Sequence, residues 1–94
     1  MPELPSELPS GNVTLPCAIR TAADIGQVMG TQRRALGLRQ IDLAGIGNTG
    51  NRLVVDIEKG KPTVQLQKVL DMLDLLGLEL TVNVKTRPKP PGPL

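Results

Sequence analysis

The order of apolar and polar positions divides the chain into a series of helical stretches followed by one alternating stretch. Ile25, Val28, Met29 and Leu36 recur at helical spacing, with Gln32, Arg33 and Arg34 mostly on the opposite side. Thr21 with Asp24 three residues later is a capping-box start, because hydroxyl and carboxylate satisfy N–H groups that a first helical turn leaves unpaired. Gly37 is a natural stop. Gly26 and Gly30 weaken this helix by roughly 1 kcal/mol each relative to Ala, and close packing or plain tolerance both account for them. Two shorter helices are expected within 38–44 and 49–60, held together by Leu43, Ala44, Leu53, Val54 and Ile57. Ala44 is small enough for close approach, and Gly47-Asn48 suits the left-handed backbone of a tight turn.

After Pro62, Leu66, Val69, Leu70, Leu73 and Leu76 mark a strongly amphipathic helix, widened by Val64 and Met72 and ended by Gly77. This stripe is assigned to the core. The period then changes: Leu78, Leu80, Val82 and Val84 alternate with Glu79, Thr81, Asn83 and Lys85, as in a half-buried β-strand. A lone strand leaves its backbone groups unpaired, so this one needs a partner. The N-terminal arm and the equivalent strand of a second subunit are both available, and the second is preferred because small proteins so often form isologous dimers. Residues 1–11, rich in Pro, Ser and Glu, are expected to lack fixed structure. Pro16 limits 13–19 to a short edge strand at most. Residues 86–94 read as a disordered, basic, Pro-rich tail. The expected division is a flexible arm over 1–18, a helical domain over 19–77, a dimerisation strand over 78–85 and the tail.

Composition narrows the function. At 94 residues the chain holds one modest core, built without Phe, Tyr or Trp. Without aromatic rings it lacks the stacking platform usual in single-strand and RNA binders. There is no His, and Cys17 stands alone as a structural or incidental thiol, so neither a metal site, a disulfide nor a cofactor is expected. An enzyme is not expected either. No run is long enough to span a bilayer and no signal-peptide pattern opens the sequence, so the expected location is the bacterial cytoplasm, at the nucleoid. The net charge of +2 conceals an uneven distribution. Residues 1–19 carry −2, 20–61 carry +3, 62–84 carry −2 and 85–94 carry +3. Positive charge therefore falls on the paired short helices and the tail, where phosphate contacts would be made.

Two short helices joined by a tight turn, in a basic segment, form a helix-turn-helix. This motif points to duplex DNA, with the N-terminal face of the second helix entering the major groove. The motif, with Arg34, Gly37-Leu38, Gln40, Leu43-Ala44, the run Ile57-Glu58-Lys59-Gly60-Lys61 and the Leu73-x-x-Leu76-Gly77-Leu78 helix end, resembles the HipB antitoxin family of Cro/repressor-type (XRE) helix-turn-helix proteins. The similarity covers about 19–85. It implies a mainly α fold, a four- to five-helix Cro/repressor-like domain whose C-terminal β-strand pairs across a homodimer. It further implies a repressor of its own operon that binds palindromic operator DNA and partners a HipA-like serine/threonine kinase toxin, with no small-molecule ligand. By the same resemblance, Gly50, Asn51, Arg52 and Val55 are the base-reading face, with Arg52 suited to guanine, Asn51 to adenine and Val55 to a thymine methyl. Gln40, Arg39, Arg33, Thr49, Lys59 and Lys61 are the candidate phosphate contacts, Gln40 by its position at the start of the first motif helix. Leu78, Leu80, Val82 and Val84 are the dimerisation residues. An acidic residue at Glu58 commonly supports the turn, here paired with Arg34.

Two positions depart from the family pattern. Arg39 replaces the usual hydroxyl cap, a loss of roughly 0.5 to 2 kcal/mol, and Gly50 replaces a longer polar side chain and with it one expected base contact. Two other functions compete. One is a stand-alone phage-type or metabolic repressor without a toxin; the other is an interaction module that has lost DNA binding, against which the intact Gln40 and Arg52 argue.

Overall fold

A computed structural model describes residues 15–85, which hold four helices: α1 (Ala22–Ala35), α2 (Gln40–Ile46), α3 (Asn51–Glu58) and α4 (Leu66–Leu75). Helix α1 starts as its sequence requires. The Thr21 hydroxyl accepts the Asp24 N–H at 3.2 Å, and the Asp24 carboxylate accepts the N–H groups of Thr21 at 3.1 Å and Arg20 at 2.8 Å. Those two backbone bonds, Arg20 first, hold the Asp24 carboxyl below its usual range. The helix ends at Leu36, and Gly37 reverses the chain with φ of 76°.

Helix α2 lacks a hydroxyl cap, but the expected loss is partly made good. The Asp42 carboxylate, three residues in, accepts the Arg39 N–H at 2.8 Å and also pairs with the Arg39 guanidinium through Nε at 3.1 Å and Nη2 at 2.9 Å. The side-chain bond to Arg39, then the backbone bond, holds the Asp42 carboxyl low.

Met29, Leu43, Ala44, Val54, Ile57, Val69, Met72, Leu73 and Leu76 form one buried cluster drawn from all four helices. Helix α3 sits at its centre, packed against both α1 and α2. The approach of α1 to α3 is very close. A Cβ on Gly26 would fall against the carbonyl oxygens of Ile57 and Glu58, the latter at 2.7 Å, so close packing is the reason for this glycine. Two apolar positions differ from expectation: Leu36 and Leu66, assigned to the buried stripes of α1 and α4, are exposed because each lies at a helix end beyond its neighbours' reach.

Residues 78–85 follow α4 without regular secondary structure. Among the described residues no strand is formed, and 78–85 makes no backbone hydrogen bond to 15–19. The possible edge strand over 13–19 is therefore absent from 15–19, and its first two positions lie outside the described residues. Leu78 is half-buried against the core, whereas residues 79–85 are all exposed. Further along, Val82 is 96% and Val84 89% exposed in the single chain. Residues 1–14 of the arm expected over 1–18, and the tail over 86–94, also lie outside the described residues.

Candidate nucleic-acid interface

Helix α2 stops at Gly47, and Asn48 takes the left-handed conformation with φ of 55°. Thr49 then closes the turn by donating its N–H to the Ala44 carbonyl at 2.9 Å. Gly47 itself has ordinary φ. Its role is steric, because a Cβ there would lie 2.5 Å from Met72 Cε and 3.1 Å from Leu75 Cδ1, so α4 presses directly on the turn. The chain re-enters helical geometry at Gly50, the N-cap of α3, where open space surrounds the missing Cβ.

Helix α3 then divides into two faces. Val54 and Ile57 are buried, while Gly50, Asn51 and Arg52 are exposed and Val55 half-buried on the other side. Positions 51, 52, 55 and 56 recur at the three- and four-residue spacings that share a helix surface. Asn51, Arg52 and Val55, three of the four residues expected to read bases, therefore share one surface with Asp56, and Gly50 caps the same helix. Arg52 is 83% exposed, and its Nε donates to Asp56 Oδ1 at 3.2 Å. Lys61, on the loop after α3, places Nζ 3.6 Å from the other oxygen of the same carboxylate. Asp56 was not among the residues singled out from sequence; its four-residue offset from Arg52 was the available signal.

Behind this surface lies a buried polar cluster that revises two expectations. Arg33, assigned to phosphate, is turned inward: Nε and Nη2 donate to Glu58 at 2.7 and 3.1 Å, and Nη1 donates to the Leu38 carbonyl at 2.7 Å. The two side chains are only 10% and 9% exposed. The ion-pair partner of Glu58 is thus Arg33, not Arg34. With all three nitrogens engaged inside the protein, Arg33 is unavailable to a phosphate. Gly30 makes the room, since a Cβ there would sit 3.2 Å from Glu58 Oε1 and from Arg34 Nη1. Gly26, Met29, Gly30 and Arg33 are buried together, and this stripe, rather than an aliphatic one alone, faces α3.

Gln40 joins the cluster from the start of α2, its Nε2 donating to Glu58 Oε1 at 3.1 Å. The amide expected to meet phosphate is thereby anchored, through Glu58, to α1 and α3. Of the remaining candidates, Arg39, Lys59 and Lys61 are exposed and Thr49 is half-buried, with Arg39 occupied by Asp42. Cys17 is exposed, no group of metal-ligating side chains occurs among the described residues, and no described helix is long and apolar enough to cross a membrane.

The chain is 45% identical over 64 residues to an uncharacterised HTH-type transcriptional regulator, y4mF, of Sinorhizobium fredii (strain NGR234), a match spanning 68% of this chain and 84% of that protein. The chain belongs to the helix-turn-helix-type transcriptional regulators. Comparison with protein-family profiles gives no match. Among solved structures this regulator superposes on HipB in the HipB-O4 20mer complex with a TM-score of 0.69 and 18% identity, covering 74% of this chain and 99% of HipB. A singly substituted HipB in an O2 20mer complex gives the same score, covering 97% of that chain. The regulator therefore has the helix-turn-helix fold seen in HipB.

Proposed function

We propose that this regulator is a sequence-specific repressor that binds palindromic operator DNA as a homodimer. The observation that carries the reading is the exposed surface of α3, where Asn51, Arg52 and Val55 stand free of the core on a helix whose other side is fixed by Val54, Ile57 and Glu58. The HipB complexes of like fold support it. In this reading α3 lies in the major groove, Arg52 donates to guanine, Asn51 meets adenine or a backbone oxygen, and Val55 meets a thymine methyl. Gly50 lets the backbone approach the groove without adding a contact. Gln40, Thr49, Lys59 and Lys61 contact phosphate, and Arg39 does so on leaving Asp42. Arg33 is reassigned to the support of Glu58 and Gln40.

Dimerisation follows from 78–85. Leu80, Val82 and Val84 leave apolar surface in water, and burying each valine against a second copy stabilises by about 1.5–3 kcal/mol. Antiparallel pairing of the two strands across a two-fold axis also satisfies their backbone groups and sets the two α3 helices on successive half-sites. The helical domain over 19–77, the strand and the basic tail then act as reader, joint and accessory phosphate contact. The protein works in the cytoplasm, on the nucleoid.

The physiological role proposed is that of the antitoxin in a type II toxin-antitoxin module, repressing its own operon and binding a HipA-like serine/threonine kinase. Copurification of a kinase-sized partner from native cells tests this part, and its absence favours a stand-alone repressor. Arg52→Ala tests base reading. It should cost about 1–3 kcal/mol on the selected duplex and far less on random DNA, whereas Lys61→Ala should weaken both and reduce the salt slope by about one. Equal loss on both DNAs for Arg52→Ala, by fluorescence anisotropy, contradicts base reading.

A further inference from the structure

The Asp56 carboxylate lies on the proposed reading surface, where a negative charge faces phosphate repulsion, and it holds two cations at once: Arg52 Nε at 3.2 Å and Lys61 Nζ at 3.6 Å. Its side chain is 19% exposed, against 83% for Arg52. We infer that Asp56 is a positioning residue for base readout, holding Arg52 by Nε so that the two Nη groups form the donor pair presented to a guanine edge. The inference rests on the proposed reading of bases by Arg52.

Three physical points carry it. A free surface arginine surrenders many rotamers on binding, and a guanidinium already held through Nε surrenders fewer. An exposed pair of this kind contributes little in water, but this carboxylate is mostly enclosed, and a duplex laid over the surface excludes water and strengthens the pair. The third point is selectivity. If Arg52 swings to a phosphate, the Asp56 carboxylate loses one of its two cations beside the DNA backbone, so Asp56 penalises the non-specific binding mode and spares the base-reading one. Lys61 sits on the second carboxylate oxygen and covers the charge from the loop side, which leaves Nε of Arg52 as the donor to the first.

The test uses the full chain and a randomised duplex pool, from which the wild-type protein selects its preferred sequence. Affinities for that duplex, its single-base variants and random duplex DNA are then measured for wild type, Asp56→Asn, Asp56→Glu, Arg52→Ala and the Asp56→Asn/Arg52→Ala double variant, with melting curves for each. Asp56→Asn should lower discrimination at the guanine assigned to Arg52 by about tenfold, within the span of one bidentate contact. It should raise affinity for random DNA and leave discrimination at other positions unchanged. Asp56→Glu should restore part of the guanine preference, and Asp56→Asn should add no loss of preference to Arg52→Ala. A purely structural role would instead lower the melting temperature and weaken every duplex alike. Retention of the guanine preference by Asp56→Asn overturns the positioning role while leaving base reading intact. A wild-type protein that selects no sequence, or an Arg52→Ala variant with unchanged base preference, overturns the underlying reading and this inference with it.

Discussion

Removing Glu58 should nearly unfold the protein, and the structure sets the size of the effect. The carboxylate receives two hydrogen bonds from Arg33 and one from Gln40, and both charged side chains are about nine-tenths enclosed. Glu58→Ala leaves the Arg33 guanidinium buried with only the Leu38 carbonyl as acceptor, a situation that costs about 3–5 kcal/mol. Small domains have roughly 5–15 kcal/mol in total, and at about 4–8 °C per kcal/mol the melting temperature should fall by about 12 °C or more. Arg33→Met combined with Glu58→Leu removes both charges and keeps apolar volume, so it should recover most of the loss, since such replacements are often neutral or stabilising. Urea titrations followed by circular dichroism measure all three proteins. A loss below about 1 kcal/mol for Glu58→Ala would refute the reasoning, because it is the size expected of a solvated surface pair. The same series separates the two roles considered for Arg33. A phosphate contact, once neutralised, weakens DNA binding in a protein of unchanged stability; an internal support changes stability first.

Other expectations follow from local geometry. Gly26→Ala should destabilise by about 1–3 kcal/mol through overlap with the Ile57 and Glu58 carbonyls, whereas Gly45→Ala, in α2 with open space around it, should stabilise by up to about 1 kcal/mol; shifts of the same sign in urea titrations would contradict the packing described. Val82→Arg should abolish dimerisation in sedimentation experiments while Thr81→Arg, one residue along on the opposite side, is nearly silent, and a dimeric Val82→Arg protein would place the interface elsewhere. Asp24 and Asp42 have folded pKa values below their usual 3.8, so their stabilisation is present above the unfolded value and lost as pH falls through the folded one. Melting temperature should therefore drop as pH falls below about 4, and the drop should shrink when both are replaced by Asn; an undiminished drop in that variant would assign acid sensitivity to other groups.

How much of this was legible in the sequence depends on the range of the interactions involved. The Thr21–Asp24 cap, the Gly37 and Gly77 stops and the left-handed Asn48 are decided within a few residues, and the structure has them as the sequence implied. The apolar core residues of α2, α3 and α4 follow from helical spacing. Arg33 was misplaced because a helical projection sorts residues by polarity, and a cation's burial is decided by a partner 25 residues away. Even with the pairing of Glu58 to an α1 arginine anticipated, polarity alone does not choose between neighbours 33 and 34. The small residues Gly26 and Gly30, two turns and one turn before Arg33, carried the missing information, since they clear the path that Glu58 occupies. The strand expected over 78–85 is not formed among the described residues, because alternation only marks which face could be buried, whereas a strand also needs backbone partners, and 79–85 make no backbone hydrogen bond there.

The two faces of α3 place different demands on sequence. Inward, Val54, Ile57 and Glu58 meet backbone, core and a buried guanidinium, and each tolerates little change without loss of the fold. Outward, Gly50 has open space, Asn51 and Arg52 are exposed, and Asp56 interacts only with flexible cationic side chains. Substitution at the exposed 51 and 52 can therefore alter the proposed reading surface at small cost in stability, since surface changes away from core and caps usually fall within about 0.5 kcal/mol. Gln40 lies between these regimes. Its amide is tied to Glu58, so the proposed phosphate contact is set by the same carboxylate that anchors α1, and in the proposed complex the orientation of α3 on the DNA backbone would rest on a buried ion pair rather than on the surface proposed to read bases.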